Sequence, residues 1–212
     1  MRDLLLFFVS LFSIVNPLSV IPTFMGLTQD ATKPELRRIT RQASFSVFLI
    51  LMASYTAGEA VLGFFSISVA SLRIAGGVLI FGMAWSMLQA TVSRAKQTKE
   101  EAAEAPDRQS IAVVPLAMPL LAGPGSISLM IIVAGRMDGM TNHLTVMLGT
   151  ALLALVTWVV LLAAGPIARA LGRTGLNVAT RFMGLILAAI AVEFITSGLL
   201  DIFPGWAAGT EP

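Results

Sequence analysis

Long apolar runs separated by short polar loops recur along the whole chain. Four runs carry no charge at all: residues 4–29, 74–93, 111–135 and 144–168. Two more, residues 42–63 and 182–200, carry one acid each, Glu59 and Glu193. A helix needs roughly 20 apolar residues to cross about 30 Å of hydrocarbon. Each run is that long, so the pattern predicts six transmembrane helices. The first run is too long for a secretory leader, has no A-x-A site after it and contains Asn16-Pro17, so it is read as a retained helix. Residues 93–110 form the one long polar stretch, a mixed-charge linker with an AAEA core. It divides the chain into a first repeat (residues 1–92) and a second repeat with a short tail (residues 111–212).

The two halves share landmarks at one offset. The step from Asn16-Pro17 in the first helix to Gly123-Pro124 in the fourth equals the step from Gly58 to Gly165. Arg73-Ile-Ala-Gly76 opens the third helix and Arg181-Phe-Met-Gly184 opens the sixth, a step longer by a single position. Three helices per half force the second half to enter the membrane from the opposite face. The expected fold is therefore an all-α membrane protein of six helices, arranged as two inverted three-helix repeats.

Charge orients it. Basic residues collect in loops on the cytoplasmic side. Lys33, Arg37, Arg38 and Arg41 follow the first helix; Arg94, Lys96, Lys99 and Arg108 follow the third; Arg169, Arg173 and Arg181 follow the fifth. Only Arg2, Arg73 and Arg136 fall on the other side, so 11 of the 14 basic residues mark one face. Both termini are expected outside, in the periplasm.

Composition narrows the chemistry. The chain is 56% hydrophobic and 12% charged, against about 25% charged in soluble domains. It has no cysteine and one histidine, His143, which argues against disulfides, thiolate chemistry, cofactors and Cys/His metal sites. No H-E-x-x-H occurs, no aspartate falls inside a span, and His143 lies far in sequence from any candidate nucleophile, so an intramembrane hydrolase is not expected. Nothing points to nucleic acid.

The helix breaks point to transport. Proline removes a backbone donor and glycine lets the chain leave the helix. In lipid, the freed groups are costly unless protein, water or a ligand meets them. Interrupted helices at matching positions of inverted repeats are the pattern of secondary transporters. Asn16 and Gly123 each lie twelve residues into their runs, about 18 Å along a helix and near the midplane. Pro17 and Pro124 are read as holding the breaks, and Asn16, Ser19, Gly123, Gly125 and Ser126 as lining a site for a small polar solute. Asn16 has a plainer reading as a helix–helix hydrogen-bonding residue, and Ser126 and Ser128 as serines bonded to their own helix. Gly76, Gly77 and Gly184 read as close-packing sites. Glu193, an acid inside a span, is the candidate for coupling to protons. Arg73 and Arg181 are read as interfacial anchors or as gates, with Arg73 within reach of Glu59. Rival readings are a non-transporting sensor or assembly partner, or a channel.

The segments NPLSVIPTF (16–24), LRIAGG (72–77), VPLAMPLLAGPGSI (114–127) and RFMGLILAAIAVEFI (181–195) resemble the MarC family, also called the small neutral amino-acid transporter family. The resemblance spans nearly the whole chain. It implies a multi-pass protein of the bacterial inner membrane with six helices, exporting or exchanging small neutral amino acids such as alanine or glycine. Ser19 stands where family members often have glycine, and Glu193 where many have glutamine. The sequence does not indicate an oligomeric state.

Overall fold

The computed structural model describes residues 2–29, 31–89, 121–135 and 139–209. All regular structure among them is helical: α1 (Arg2–Val15), α2 (Pro17–Leu27), α3 (Lys33–Phe64), α4 (Val69–Leu88), α5 (Pro124–Ala134), α6 (Met140–Leu162) and α7 (Ala164–Ile202), then a short 3-10 turn at Pro204–Gly209. The linker expected over residues 93–110 and the first half of the span expected over residues 111–135 lie outside the described residues, as does Arg136.

Among the described residues, five helical stretches are long and apolar enough to cross a membrane: Arg2–Leu27, Lys33–Phe64, Val69–Leu88, Asn142–Leu162 and Thr174–Ile202. The sixth expected span is represented by the 11-residue apolar helix α5. Helix ends depart from the apolar runs because caps set them. α3 begins nine residues before its run, where the Thr32 N–H donates to the Glu35 carboxylate at 2.8 Å. α4 begins five residues before its run, where Ser68 Oγ accepts from the Ser71 N–H at 3.0 Å.

The interruption expected at Asn16-Pro17 is present. Asn16 sits at φ 45°, ψ 67°, a left-handed conformation that asparagine tolerates better than most side chains, and Pro17 opens α2. α5 opens the same way, with Pro124 in its first turn after an extended Gly123. The offset that carries Asn16 onto Gly123 also carries α2 onto α5 at both ends, Pro17 onto Pro124 and Leu27 onto Ala134. It carries the start of α3, Lys33, onto the start of α6, Met140. The helical path begun by α6 passes a slight irregularity at Ala163, where the Ile167 N–H still donates to Ala163 O at 2.9 Å. It breaks at Gly172, φ 61°, which the same offset matches to Phe65, the C-cap just after α3.

Packing explains the order of the bundle. α4 and α7 make its most extensive contact, and glycines bring their backbones together. A methyl on Gly77 would lie 2.9 Å from Ala191 O, one on Gly198 2.9 Å from Ala70 O, and one on Gly184 3.2 Å from Ala84 O. Close backbone approach through small residues is how helices associate in lipid, where apolar burial drives little. α3 lies against α5 and α6, and α2 against α7. Leu11, Ile21, Phe24, Leu51, Ile80, Leu121, Met130, Leu153 and Leu187 fill the interior. Phe45, Val78, Leu155 and Leu185 point outward, as a lipid-facing surface requires and a water-facing one avoids.

Candidate functional site

The two helix starts meet inside the bundle. Gly125, two residues after Gly123, has no room for a methyl: it would lie 2.6 Å from Ile80 Cγ1 and 3.3 Å from Ile14 Cγ2. Ile14 is two residues before Asn16, so the breaks are neighbours, near the middle of α4. Gly125 is thus held by packing rather than left open.

The same local bond forms at both helix starts. Ser19 Oγ donates to Asn16 O at 2.9 Å, and Ser126 Oγ donates to Gly123 O at 2.9 Å. Ser19 therefore places a hydroxyl on the buried Asn16 carbonyl, which also accepts from the Ser19 N–H at 3.1 Å. Ser128 is buried against Gly76, whose added methyl would meet Ser128 Cβ at 2.8 Å.

Asn16 is the polar centre. It is 2% exposed, and its Oδ1 accepts from the Ser19 N–H at 3.4 Å. Among the described residues its Nδ2 meets only the Met87 thioether, at 4.0 Å. A thioether is a weak acceptor, so the amide retains most of its donor capacity. Beside it lies a cavity of about 10 Å³, the room of one water-sized sphere. Asn16, Leu18 and Ser19 form one wall; Leu171, Leu176, Ala179, Thr180 and Met183 form the other. No charged side chain is among these residues. The site offers amide and hydroxyl groups, which suit hydrogen bonding to an uncharged or zwitterionic solute and not proton abstraction.

The charged candidates lie elsewhere. Arg73 is 3% exposed and its guanidinium pairs with Asp201 at the end of α7, so the contact expected with Glu59 is replaced by one between α4 and α7. Glu59 is exposed and its carboxylate lies over Gly135. One turn earlier, the Tyr55 hydroxyl and His143 Nδ1 are 2.6 Å apart, which joins α3 to α6. Arg181 is exposed. Glu193 is exposed on the outside of the bundle, ten residues beyond the cavity wall at Met183 and so about 15 Å along the helix.

A family model described as MarC family integral membrane protein matches residues 1–203. The chain belongs to the MarC family. It is 42% identical over 199 residues to the UPF0056 membrane protein YhcE of Escherichia coli, covering 94% of this chain and 93% of that one. It is 37% identical to the UPF0056 membrane protein YvbG of Bacillus subtilis, with 93% and 94% covered. The match extends to the UPF0056 membrane protein MJ0972 of Methanocaldococcus jannaschii, at 34% identity with 92% and 86% covered. No solved structure matches.

In this MarC protein, Thr180, Met87 and the Tyr55–His143 pair are the features that sequence reasoning did not single out. Thr180 directly precedes the RFMG motif, a signal that could have drawn attention to it. Tyr55 and His143 are far apart in the chain, on helices whose register only packing reveals.

Proposed function

We propose that this MarC protein is a secondary transporter that carries a small polar solute of no net charge across the bacterial inner membrane by alternating access. Export or exchange of a small neutral amino acid fits the family resemblance. The observation that carries the reading is the buried Asn16 at a helix break, one of the residues that line a cavity whose described lining holds polar but no charged side chains. Half-helix ends aimed at a solute are the recurring device of transporters.

Two inverted three-helix repeats would give the site its two mirror-related access routes. The common offset that relates α2 to α5 and the start of α3 to that of α6 supports this, as do the matched serine bonds at the two breaks. So does the reciprocal contact in the α4–α7 pair. Gly77 meets Ala191 and Gly184 meets Ala84, and that one offset relates Gly77 to Gly184 and Ala84 to Ala191. Polar contacts join the helices where Tyr55 meets His143 and Arg73 meets Asp201. The cavity instead borders Leu171 and Leu176, around the Gly172 break. We read the side expected to face outward as the closed one in this conformation, and opening toward the cytoplasm would proceed by moving α2 away from the wall at Thr180 and Met183.

Purified protein in proteoliposomes is expected to take up or exchange one or a few radiolabelled neutral amino acids, and to leave charged ones untouched. Running the panel with and without a proton gradient tests proton coupling. A panel in which no solute, neutral or charged, moves faster than in empty liposomes would overturn the reading.

The orientation has its own test. With 11 of 14 basic residues on one side, a C-terminal alkaline phosphatase fusion is expected to be active and a C-terminal fluorescent-protein fusion dark. The opposite pair of results would invert the topology.

A further inference from the structure

We propose that α7 of one copy packs against α7 of a second copy through the face carrying Leu185, Ala189, Val192, Thr196 and Glu193, with Glu193 hydrogen-bonding across the contact. The depth of Glu193 is the starting point. Arg181 and Asp201 stand twenty residues apart on α7, about 30 Å along a helix, which is the thickness of the hydrocarbon. Glu193 lies about 18 Å from the first and 12 Å from the second. A carboxyl group at that depth is costly, and such groups almost always face protein or a watery cavity.

Among the described residues of its own chain, the group faces neither. α7 turns Gly184, Leu187, Ala191 and Gly198 toward the bundle, and Glu193 is exposed away from it. Its described hydrogen bond is a long one, from Ser197 Oγ one turn on, at 3.5 Å. Lipid tails supply no donor or acceptor, and none of the described residues beyond Ser197 meets the carboxyl, so its complement is placed on another polypeptide.

The chemistry of the face selects a second copy as that polypeptide. Leu185, Ala189, Val192 and Thr196 are all exposed and follow the alternating spacing of three and four that makes a helix–helix seam. Ala189, small and central, allows close approach. Thr196 and Glu193 place a hydroxyl and a carboxyl in the same seam. Across a two-fold axis normal to the membrane, a carboxyl O–H of one copy can donate to the other copy's carboxyl or to its Thr196 Oγ1, whose own proton is held by Val192 O at 3.0 Å, so the surface is its own complement.

The absence of cysteine makes the test direct. Val192→Cys and Leu185→Cys, each with Glu193 intact, are expected to form disulfide-linked dimers on mild oxidation in native membranes. Leu155→Cys, exposed on α6, is expected not to. Adding Glu193→Leu to Val192→Cys is expected to lower the cross-linked fraction about tenfold when the protein is diluted in lipid, whereas Glu193→Gln keeps it. Equal cross-linking at Val192 and Leu155, an adduct of a mass other than two chains, or cross-linking untouched by Glu193→Leu would each overturn the proposal. Should Glu193→Leu fail to accumulate, the single-cysteine comparison decides on its own.

Discussion

Asn16→Gly is expected to leave the protein folded in the membrane and to cut its transport rate about tenfold or more. The backbone at Asn16 is left-handed, at φ 45° and ψ 67°, a conformation that glycine adopts without strain. The substitution therefore keeps the backbone of the break and removes the side-chain amide of a cavity-lining residue, together with its long 3.4 Å cap on the Ser19 N–H. A hydrogen bond to an uncharged solute contributes about 0.5–1.5 kcal/mol net, and a buried solute group left unpaired loses about 1–3 kcal/mol; each 1.4 kcal/mol is about a factor of ten. Asn16→Leu separates the two roles of the residue. It removes the amide and also forces a bulky side chain into the left-handed region at a cost of about 1–2 kcal/mol, so both transport and thermal stability should fall. Initial uptake rates in proteoliposomes and melting of the detergent-purified protein read the two effects separately. Full transport by Asn16→Gly would remove Asn16 from the site.

Gly77→Ala and Gly198→Ala should be the most damaging single-methyl changes. The new methyl of Gly77→Ala would lie 2.7 Å from Ile195 Cγ1 and 2.9 Å from Ala191 O; that of Gly198→Ala would lie 2.7 Å from Ile74 Cγ1 and 2.9 Å from Ala70 O. A backbone carbonyl inside a helix cannot step aside, so α4 and α7 must separate. Overpacking of this kind costs about 1–3 kcal/mol, or roughly 2–4 °C of melting temperature per kcal/mol at this chain length. Gly184→Ala should lose less, because its nearest backbone atom, Ala84 O, is 3.2 Å away. Gly82→Ala is the internal control. Nothing lies within 4 Å of its added methyl, and alanine is the better helix former, so it should cost nothing. The rank order in detergent melting checks the α4–α7 interface, and a uniform response at the four positions would contradict it.

Much of this architecture is local, and local features are legible in the residue order. Span length follows from the thickness of the hydrocarbon, and the apolar runs locate α1 with α2, α4 and α6 to within about two turns, whereas α3 and α7 begin well before their runs. The ends shift because a cap such as Ser68 or Thr32 lies outside the apolar run that it opens. The break at Asn16 is visible because proline and a residue tolerant of left-handed backbone sit side by side, and that chemistry acts within a single turn. The offset between the halves is visible for the same reason: Gly123-Pro124 obeys the same local rule as Asn16-Pro17.

What surrounds each side chain is not legible in that way. In a soluble helix the apolar stripe points to the core, and the polar face to water. A membrane helix is apolar on the lipid side as well as the packed side, so hydropathy carries no direction. Glu193 and Leu187 belong to the same apolar run, yet one faces out and the other is sealed inside. Residue order was enough to establish that this protein spans a membrane, where two helices start, at Asn16-Pro17 and Gly123-Pro124, and that its halves share an offset. It took the packed bundle to establish that Arg73 meets Asp201, that Tyr55 meets His143, that Gly125 is filled by Ile80 and Ile14, and that Thr180 stands across the cavity from Asn16. Those contacts depend on how each helix is rotated and how far it slides against its neighbours. Rotation and sliding are set by interlocking shapes such as the Gly77–Ala191 and Gly198–Ala70 approaches, which join residues from opposite halves of the chain.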